Sequence, residues 1–212
     1  MRRIQGNANR NGRNKEETHV YPIIKRSIDI VVSAVLLVLL LPLMVVIAAA
    51  LCSFPPRRVL FRQRRVGKND KIFTIYKFYT LYPDALSSIS SMGAAATPLG
   101  AILRSWSIDE LPQLWNVLKG DMSFVGPRPV VPEEGTLLLR RRQLGAVGVR
   151  PGMTGLAQVR GRKRLNVEDK ARCDAYYCKE MSASLDLYIL WRTLFCVHCK
   201  ETPTDKKALT NR

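Results

Sequence analysis

Ser107-Ile-Asp-Glu-Leu-Pro-Gln-Leu-Trp-Asn-Val-Leu-Lys-Gly-Asp-Met-Ser-Phe-Val-Gly-Pro-Arg-Pro129 sets two adjacent carboxylates, Asp109 and Glu110, at the head of a short helix. It then delivers Arg128 between two prolines. Leu111, Leu114, Trp115 and Leu118 recur at i, i+3, i+4 and i+7, which predicts one apolar helix face, and Gly120 supplies a stop. The start has two readings. Ser107-x-x-Glu110 fits a capping box; alternatively Asp109 is the N-cap, with Pro112 in the first turn, where its missing N–H matters least. Either way Asp109 lies at the positive end of a helix dipole, which favours an ionised carboxylate and attracts phosphate. A carboxylate so placed can be a nucleophile toward phosphorus. Its neighbour can hold Mg²⁺, a hard cation that keeps waters and substrate phosphates in its shell. The prolines restrict the backbone at Arg128, whose guanidinium suits bidentate phosphate binding. Helix capping for the carboxylates and a surface ion pair for Arg128 remain the plainer alternatives.

Upstream, the 27 residues from Ile30 to Pro56 carry no charge. About 20 apolar residues in a helix cross a hydrocarbon core, so the segment is long enough to span. Pro42 sits in its middle and predicts a kink. Both flanks are basic, with Lys25 and Arg26 before and Arg57, Arg58, Arg62, Arg64 and Arg65 after. The positive-inside rule draws both to the cytoplasmic side. A helix that enters, bends at Pro42 and returns satisfies both observations; a plain span with a tolerated proline is the alternative. The run is too long and begins too late for a signal peptide.

The chain has 212 residues and a formal charge of +17, from 34 Lys+Arg against 17 Asp+Glu. That excess implies anionic partners: phosphorylated substrates, anionic lipid or nucleic acid. No helix-turn-helix, zinc-finger or RNP-type pattern supports nucleic acid, so none is expected as a partner. Five irregularly spaced cysteines do not make a disulfide framework and favour a reducing compartment. Cys196-Val-His198-Cys199 lacks a second pair at zinc-site spacing and reads as thiols on an apolar helix.

The remainder reads as an α/β (α+β) unit: a small compact catalytic domain of short strands and helices behind the apolar helix. Residues 1–20 are expected to be a basic, mobile tail, 21–56 the membrane helix, 57–200 the cytosolic catalytic domain and 201–212 a C-terminal tail. Val59–Gln63 and Ile72–Tyr79 are β-branched and aromatic, and the turn at Val66–Asp70 joins them into a hairpin. Residues 84–98 read as a loop. Helices are expected over Val167–Lys179 and Ser184–Cys199, the second rich in Leu, Tyr, Trp and Phe. Its apolar side chains are assigned to the core, with a membrane interface as the alternative.

In order, the motifs are Lys25-Arg26-x-x-Asp29, Pro42, Gln63-x-Arg65-x-Gly67, Tyr76-Lys77-Phe78 and Leu103-Arg104-x-x-Ser107-x-Asp109-Glu110-Leu111-Pro112-Gln113-Leu114. Asn116 through Pro129, Arg150-Pro-Gly-x-Thr-Gly155, Ala157-Gln-Val, Gly161-Arg162 and Asp174-x-Tyr176-Tyr177 follow. Over residues 22–200 this series resembles the bacterial sugar transferases, the monotopic phosphoglycosyl transferases. The resemblance implies transfer of a sugar phosphate from a UDP-sugar to undecaprenyl phosphate, with release of UMP, at the cytoplasmic face of a bacterial inner membrane rich in anionic lipid. It implies Asp109 as nucleophile, Glu110 with Asp109 as Mg²⁺ ligands, and Lys77, Arg104, Arg128, Arg162 and Asp174 as substrate, phosphate or structural contacts. It also implies a re-entrant helix broken at Pro42 and leaves open association with a second copy or with other glycan-assembly enzymes. The chain departs from the family pattern at Tyr79, where a basic residue is usual, at Leu156, where Trp is usual, and at residues 87–96, where charge is common. Without the multi-span domain that much of the family carries at its N-terminus, it is expected to be a minimal form.

Overall fold

The computed structural model describes residues 5–53, 55, 57–82, 96–161 and 164–196, with side chains from Val20 to Phe195. The chain opens with one long helix, α1 (Gln5–Ser53), which stays helical through Pro22 and Pro42. Its backbone thus begins inside the segment read as a mobile tail. Extending a helix already formed by the apolar run costs far less than nucleating one.

The hairpin forms as its sequence predicts. Strands β1 (Leu60–Val66) and β2 (Ile72–Phe78) pair antiparallel, from Leu60 opposite Phe78 to Val66 opposite Ile72. A two-residue side-chain period sets Phe61, Gln63 and Arg65 on the same face as their partners Lys77, Ile75 and Phe73. In β1 that face is the half-buried one. Helix α2 (Pro98–Ser105) follows, started by Thr97, whose side chain accepts from Gly100 N. A single 3₁₀ turn, Ile108–Glu110, then leads into α3 (Gln113–Lys119), which ends at Gly120 with φ 100°.

A second small sheet pairs β3 (Ser123–Val125) parallel to β4 (Gly152–Thr154). Its backbones approach closely: a Cβ added at Gly152 would lie 2.1 Å from Gly126 N, and one at Gly155 2.1 Å from Gly126 O. No side chain larger than hydrogen fits there. Helix α4 (Gly135–Gln143) lies between the strands in sequence, and α5 (Leu156–Arg160), α6 (Val167–Glu180) and α7 (Ala183–Cys196) complete the molecule. The expected α+β mixture behind a long apolar helix is what the chain adopts.

Val125, Leu156, Val159, Cys173, Tyr177 and Ile189 form the main core, joining β3 to α5, α6 and α7. Leu156, where the resemblance leads one to expect Trp, is therefore a core residue, 1% exposed. Tyr79 is likewise buried, with its ring tilted 58° to that of Phe61 at 6.5 Å. Both departures thus fall in packed interior.

Helix α7 differs from its expected role. Ile189 is fully buried, but Leu187, Leu190, Trp191, Leu194 and Phe195 are exposed. These five recur at i, i+3, i+4, i+7 and i+8, so one face packs inward and the other is an unburied apolar stripe.

Helix α1 docks on this unit near both ends of its apolar run. At the start, Tyr21 Oη and Lys25 Nζ donate to Asp186 Oδ2 at 2.6 and 2.5 Å. Arg26 donates to the carbonyls of Val117 and Leu118 at the C-terminal end of α3, and Asp29 Oδ1 accepts from Phe124 N at 3.2 Å. The Lys-Arg-x-x-Asp motif is thus a docking device. At the far end, Ile47 and Leu51 pack with Phe78 and Leu103. Between them Val35, Val38, Leu39, Leu41, Leu43, Val45 and Val46 are exposed.

Candidate active site

Neither capping reading survives. Ser107 has φ 57° and makes no side-chain cap bond, and α3 begins at Gln113 behind Pro112. The turn is held instead by its own backbone, with Glu110 N donating to Ser107 O and Leu111 N to Ile108 O, each at 3.1 Å. Left-handed backbone is uncommon for a residue with a Cβ and clusters at functional sites. The turn sets Asp109 inward, 8% exposed, with Glu110 half-buried beside it.

Burial pushes the Asp109 carboxyl above the usual carboxylate range, and Glu110 adds to this; Lys77 and Arg104 pull it back without cancelling it. Lys77 Nζ reaches Glu110 Oε1 at 2.5 Å. Lys77 comes from β2, Asp109 and Glu110 from the 3₁₀ turn, and Arg104 from the exposed end of α2.

The strand and turn are held in register by Asn116, a residue that sequence reasoning passed over. It is fully buried, donates from Nδ2 to Thr74 O at 2.7 Å and accepts from Tyr76 N at 3.2 Å. It thereby fixes α3 against the edge of β2 one residue before Lys77. The inward face of α3 is Gln113, Leu114, Asn116 and Val117, while Trp115, expected on the apolar face, is 53% exposed.

A cleft beside the carboxylates is lined by Arg65, Lys77, Glu110, Gln113, Arg128 and Pro129, with Ile75, Gly152 and Met153 behind them. Arg128 keeps its side chain exposed while its main chain is clamped: Arg141 Nη2 donates to Arg128 O at 3.0 Å, and Arg65 Nη1 to Pro129 O at 3.1 Å. Asp174 does not enter the cleft. It is 1% exposed and accepts from Arg141 at 2.6 Å (Nη2) and 2.8 Å (Nε). It thus acts on the cleft through Arg141 and the Arg128 carbonyl. Arg162 lies outside the described residues, as do His198, Cys199 and most of the 84–98 loop.

The structure thus brings together Lys77, Arg104, Asp109 and Glu110, with Arg128 on the wall of the same cleft. Arg65, Gln113, Asn116 and Arg141 are additions. For Arg65 a signal was present, since alternation along β1 sets it on the face of Lys77; the others depend on long-range contacts. Asp109 and Glu110 are the carboxylates here that could hold a divalent cation through oxygen. Among the described residues no three His, Cys, Asp or Glu converge, and Mg²⁺ is commonly held by one or two carboxylates plus phosphate oxygens.

Fold and site define a class: an α+β domain carried on a long apolar helix, with a buried carboxylate pair set among cations beside an arginine-lined cleft. The chain belongs to the bacterial sugar transferase family, whose model matches residues 20–200. It is 37% identical over 185 residues to an undecaprenyl-phosphate glucose phosphotransferase of Komagataeibacter xylinus, covering 80% of this chain and 35% of that protein. It is 36% identical over 184 residues to a UDP-glucose:undecaprenyl-phosphate glucose-1-phosphate transferase of Klebsiella pneumoniae, covering 82% and 40%. The exopolysaccharide production protein ExoY of Rhizobium meliloti (strain 1021) is 34% identical over 189 residues, covering 80% and 83%. The chain thus spans well under half of the first two relatives and most of the third.

Proposed function

We propose that this chain is a phosphoglycosyl transferase that moves a sugar-1-phosphate from a UDP-sugar to undecaprenyl phosphate, releasing UMP, in the first membrane step of surface-glycan synthesis. The observation that carries the proposal is Asp109. It is a buried carboxylate with no capping role, its pKa raised by burial, beside a lysine-paired glutamate. An Asp whose ionised form is disfavoured by its surroundings costs stability, as catalytic groups commonly do. The relatives' names supply the substrate class, while the identity of the sugar is set by contacts that no motif reads.

In the first half-reaction an Asp109 carboxylate oxygen bonds to the β-phosphorus. The bond from that phosphorus to the bridging oxygen breaks, and its electron pair leaves on UMP. In the second, an oxygen of undecaprenyl phosphate bonds to the same phosphorus as the Asp109–phosphorus bond breaks, which restores the carboxylate. Lys77 and Arg104 hold positive charge next to Asp109, where an anion must approach an anion. Glu110 with Asp109 would hold Mg²⁺, which supplies charge neutralisation on the phosphates. The test is UMP release by Asp109→Asn supplied with UDP-sugar and undecaprenyl phosphate. Loss of at least about a thousandfold is expected for a missing nucleophile; turnover near wild type sinks the assignment.

For the membrane segment, a re-entrant course is supported by the docking of both ends of the apolar run. Asp29 and Ile47 touch the same catalytic unit, whereas a spanning helix would put its ends on opposite sides of the bilayer. In Val20–Ser53 the most apolar window is only 11% buried, which suits lipid contact better than a soluble core. The exposed stripe on α7, with Ile102, Trp106 and Trp115, suits the headgroup level. The cytoplasmic face of the inner membrane is where a soluble UDP-sugar and a lipid acceptor meet.

A further inference from the structure

We propose that Arg65, Gln113 and Arg128 form a subsite for a phosphate monoester, next to the phosphoryl group that Asp109 attacks; this rests on the transfer reading above. The cleft wall carries buried donors with nothing to donate to. Gln113 is 2% exposed and its Nε2 has no partner among the described residues, and Arg65 Nε is buried and unpartnered as well. Both residues line the cleft together with Arg128 and Lys77. Buried donors are nearly always satisfied, and an exception calls for a ligand or another special reason.

The geometry of Arg65 is set for recognition. Its Nη2 donates to Gln63 Oε1 at 2.6 Å and its Nη1 to Pro129 O at 3.1 Å, so the guanidinium plane is fixed from two sides. Burial, and then the nearby Arg128, push the Arg65 guanidinium below its ordinary range, against the opposing pull of Glu134, Glu110 and Glu133. An oxyanion in the cleft would give the orphan donors a partner, and two guanidinium groups plus an amide suit three phosphate oxygens. Glu110 on the same cleft wall ties the subsite to the reacting carboxylates.

Two esters present this chemistry: UMP as the departing group and undecaprenyl phosphate as the entering one. Both stand opposite Asp109 in an in-line displacement, so one subsite can serve them in turn.

The test is a titration of the full chain in detergent with UMP, with uridine and with a short-chain polyprenyl phosphate, for wild type, Arg65→Gln, Arg65→Lys and Gln113→Leu. Arg65→Gln is expected to weaken UMP binding by about tenfold or more, as expected for a charge-assisted bond, and Gln113→Leu by less. Arg65→Lys should fall between wild type and Arg65→Gln, and uridine affinity should not move. A loss in either phosphate arm supports the subsite and shows which ester uses it. Unchanged affinity in both arms, or an equal loss for uridine, overturns it. An inactive Asp109→Asn alongside unchanged affinity of Arg65→Gln for both UMP and the polyprenyl phosphate would reject the subsite alone. An active Asp109→Asn alongside weakened UMP affinity in Arg65→Gln would reject the covalent reading alone.

Discussion

Asp109 is held in a form that its surroundings resist. Its folded pKa is raised, so the folded chain binds that proton more tightly than the unfolded chain. Stability therefore falls as pH rises from the ordinary carboxylate value through the raised one, and stays lower above it. Asp109→Asn removes this penalty, so its Tm at neutral pH should be at or above wild type while activity is lost; a clear fall in Tm would contradict it. In the metal-free protein the Asp109 carboxyl should titrate, by NMR, with a midpoint above about 4, the ordinary Asp value. Lys77 pulls the Asp109 pKa down, so Lys77→Met should move that midpoint to higher pH; a shift the other way would refute the assignment. Asp174 is a different kind of carboxylate. Burial outweighs the pull of Arg141 on it, and removing one partner of a buried pair costs about 3–5 kcal/mol. Asp174→Asn should thus unfold at markedly lower denaturant, and Arg141→Met with Asp174→Leu should recover much of the loss. From the sequence both aspartates read as site residues. What separates them is a partner 33 residues away in the chain for Asp174, which no local pattern encodes.

At the scale of elements, the legible parts were those with a local period or a local stop. The β1–β2 hairpin has alternating side chains and a turn, and α3 ends at Gly120. The faces were harder. In α3 the polar Asn116 lies inward and Trp115 outward, because Asn116 satisfies the backbone of β2 while Trp115 has no core to enter. In α7, Asp186 is 6% exposed although it belongs to the first turn of an apolar helix. It accepts from Tyr21, Lys25 and Tyr177, so three elements converge on one carboxylate. Asp186→Asn leaves the half-buried Lys25 without its counter-charge. Hydrogen exchange should then rise selectively over residues 21–33 in α1, and membrane-bound activity should fall. Protection equal to wild type would show that apolar contacts alone hold the helix.

For the molecule as a whole, the apolar helix was evident from composition, while its two-ended docking was not. Contacts of Ile47 and Leu51 with Phe78 and Leu103 join residues far apart in sequence, and the proposed re-entrant course rests on them. Single-cysteine proteins carrying the thiol at Ile23→Cys or at the exposed Cys52 should both react with an impermeant maleimide from the same face of the vesicle. Labelling from opposite faces would establish a span. The central claim is that Asp109 carries the sugar phosphate between donor and acceptor. Its most direct measurement is mass analysis of the wild-type protein incubated with Mg²⁺ and its UDP-sugar, with no lipid acceptor. The account predicts UMP released up to one equivalent and a phosphosugar on the peptide containing Asp109, discharged on adding undecaprenyl phosphate. No adduct, with UMP appearing only once the lipid is present, would show direct transfer and contradict it.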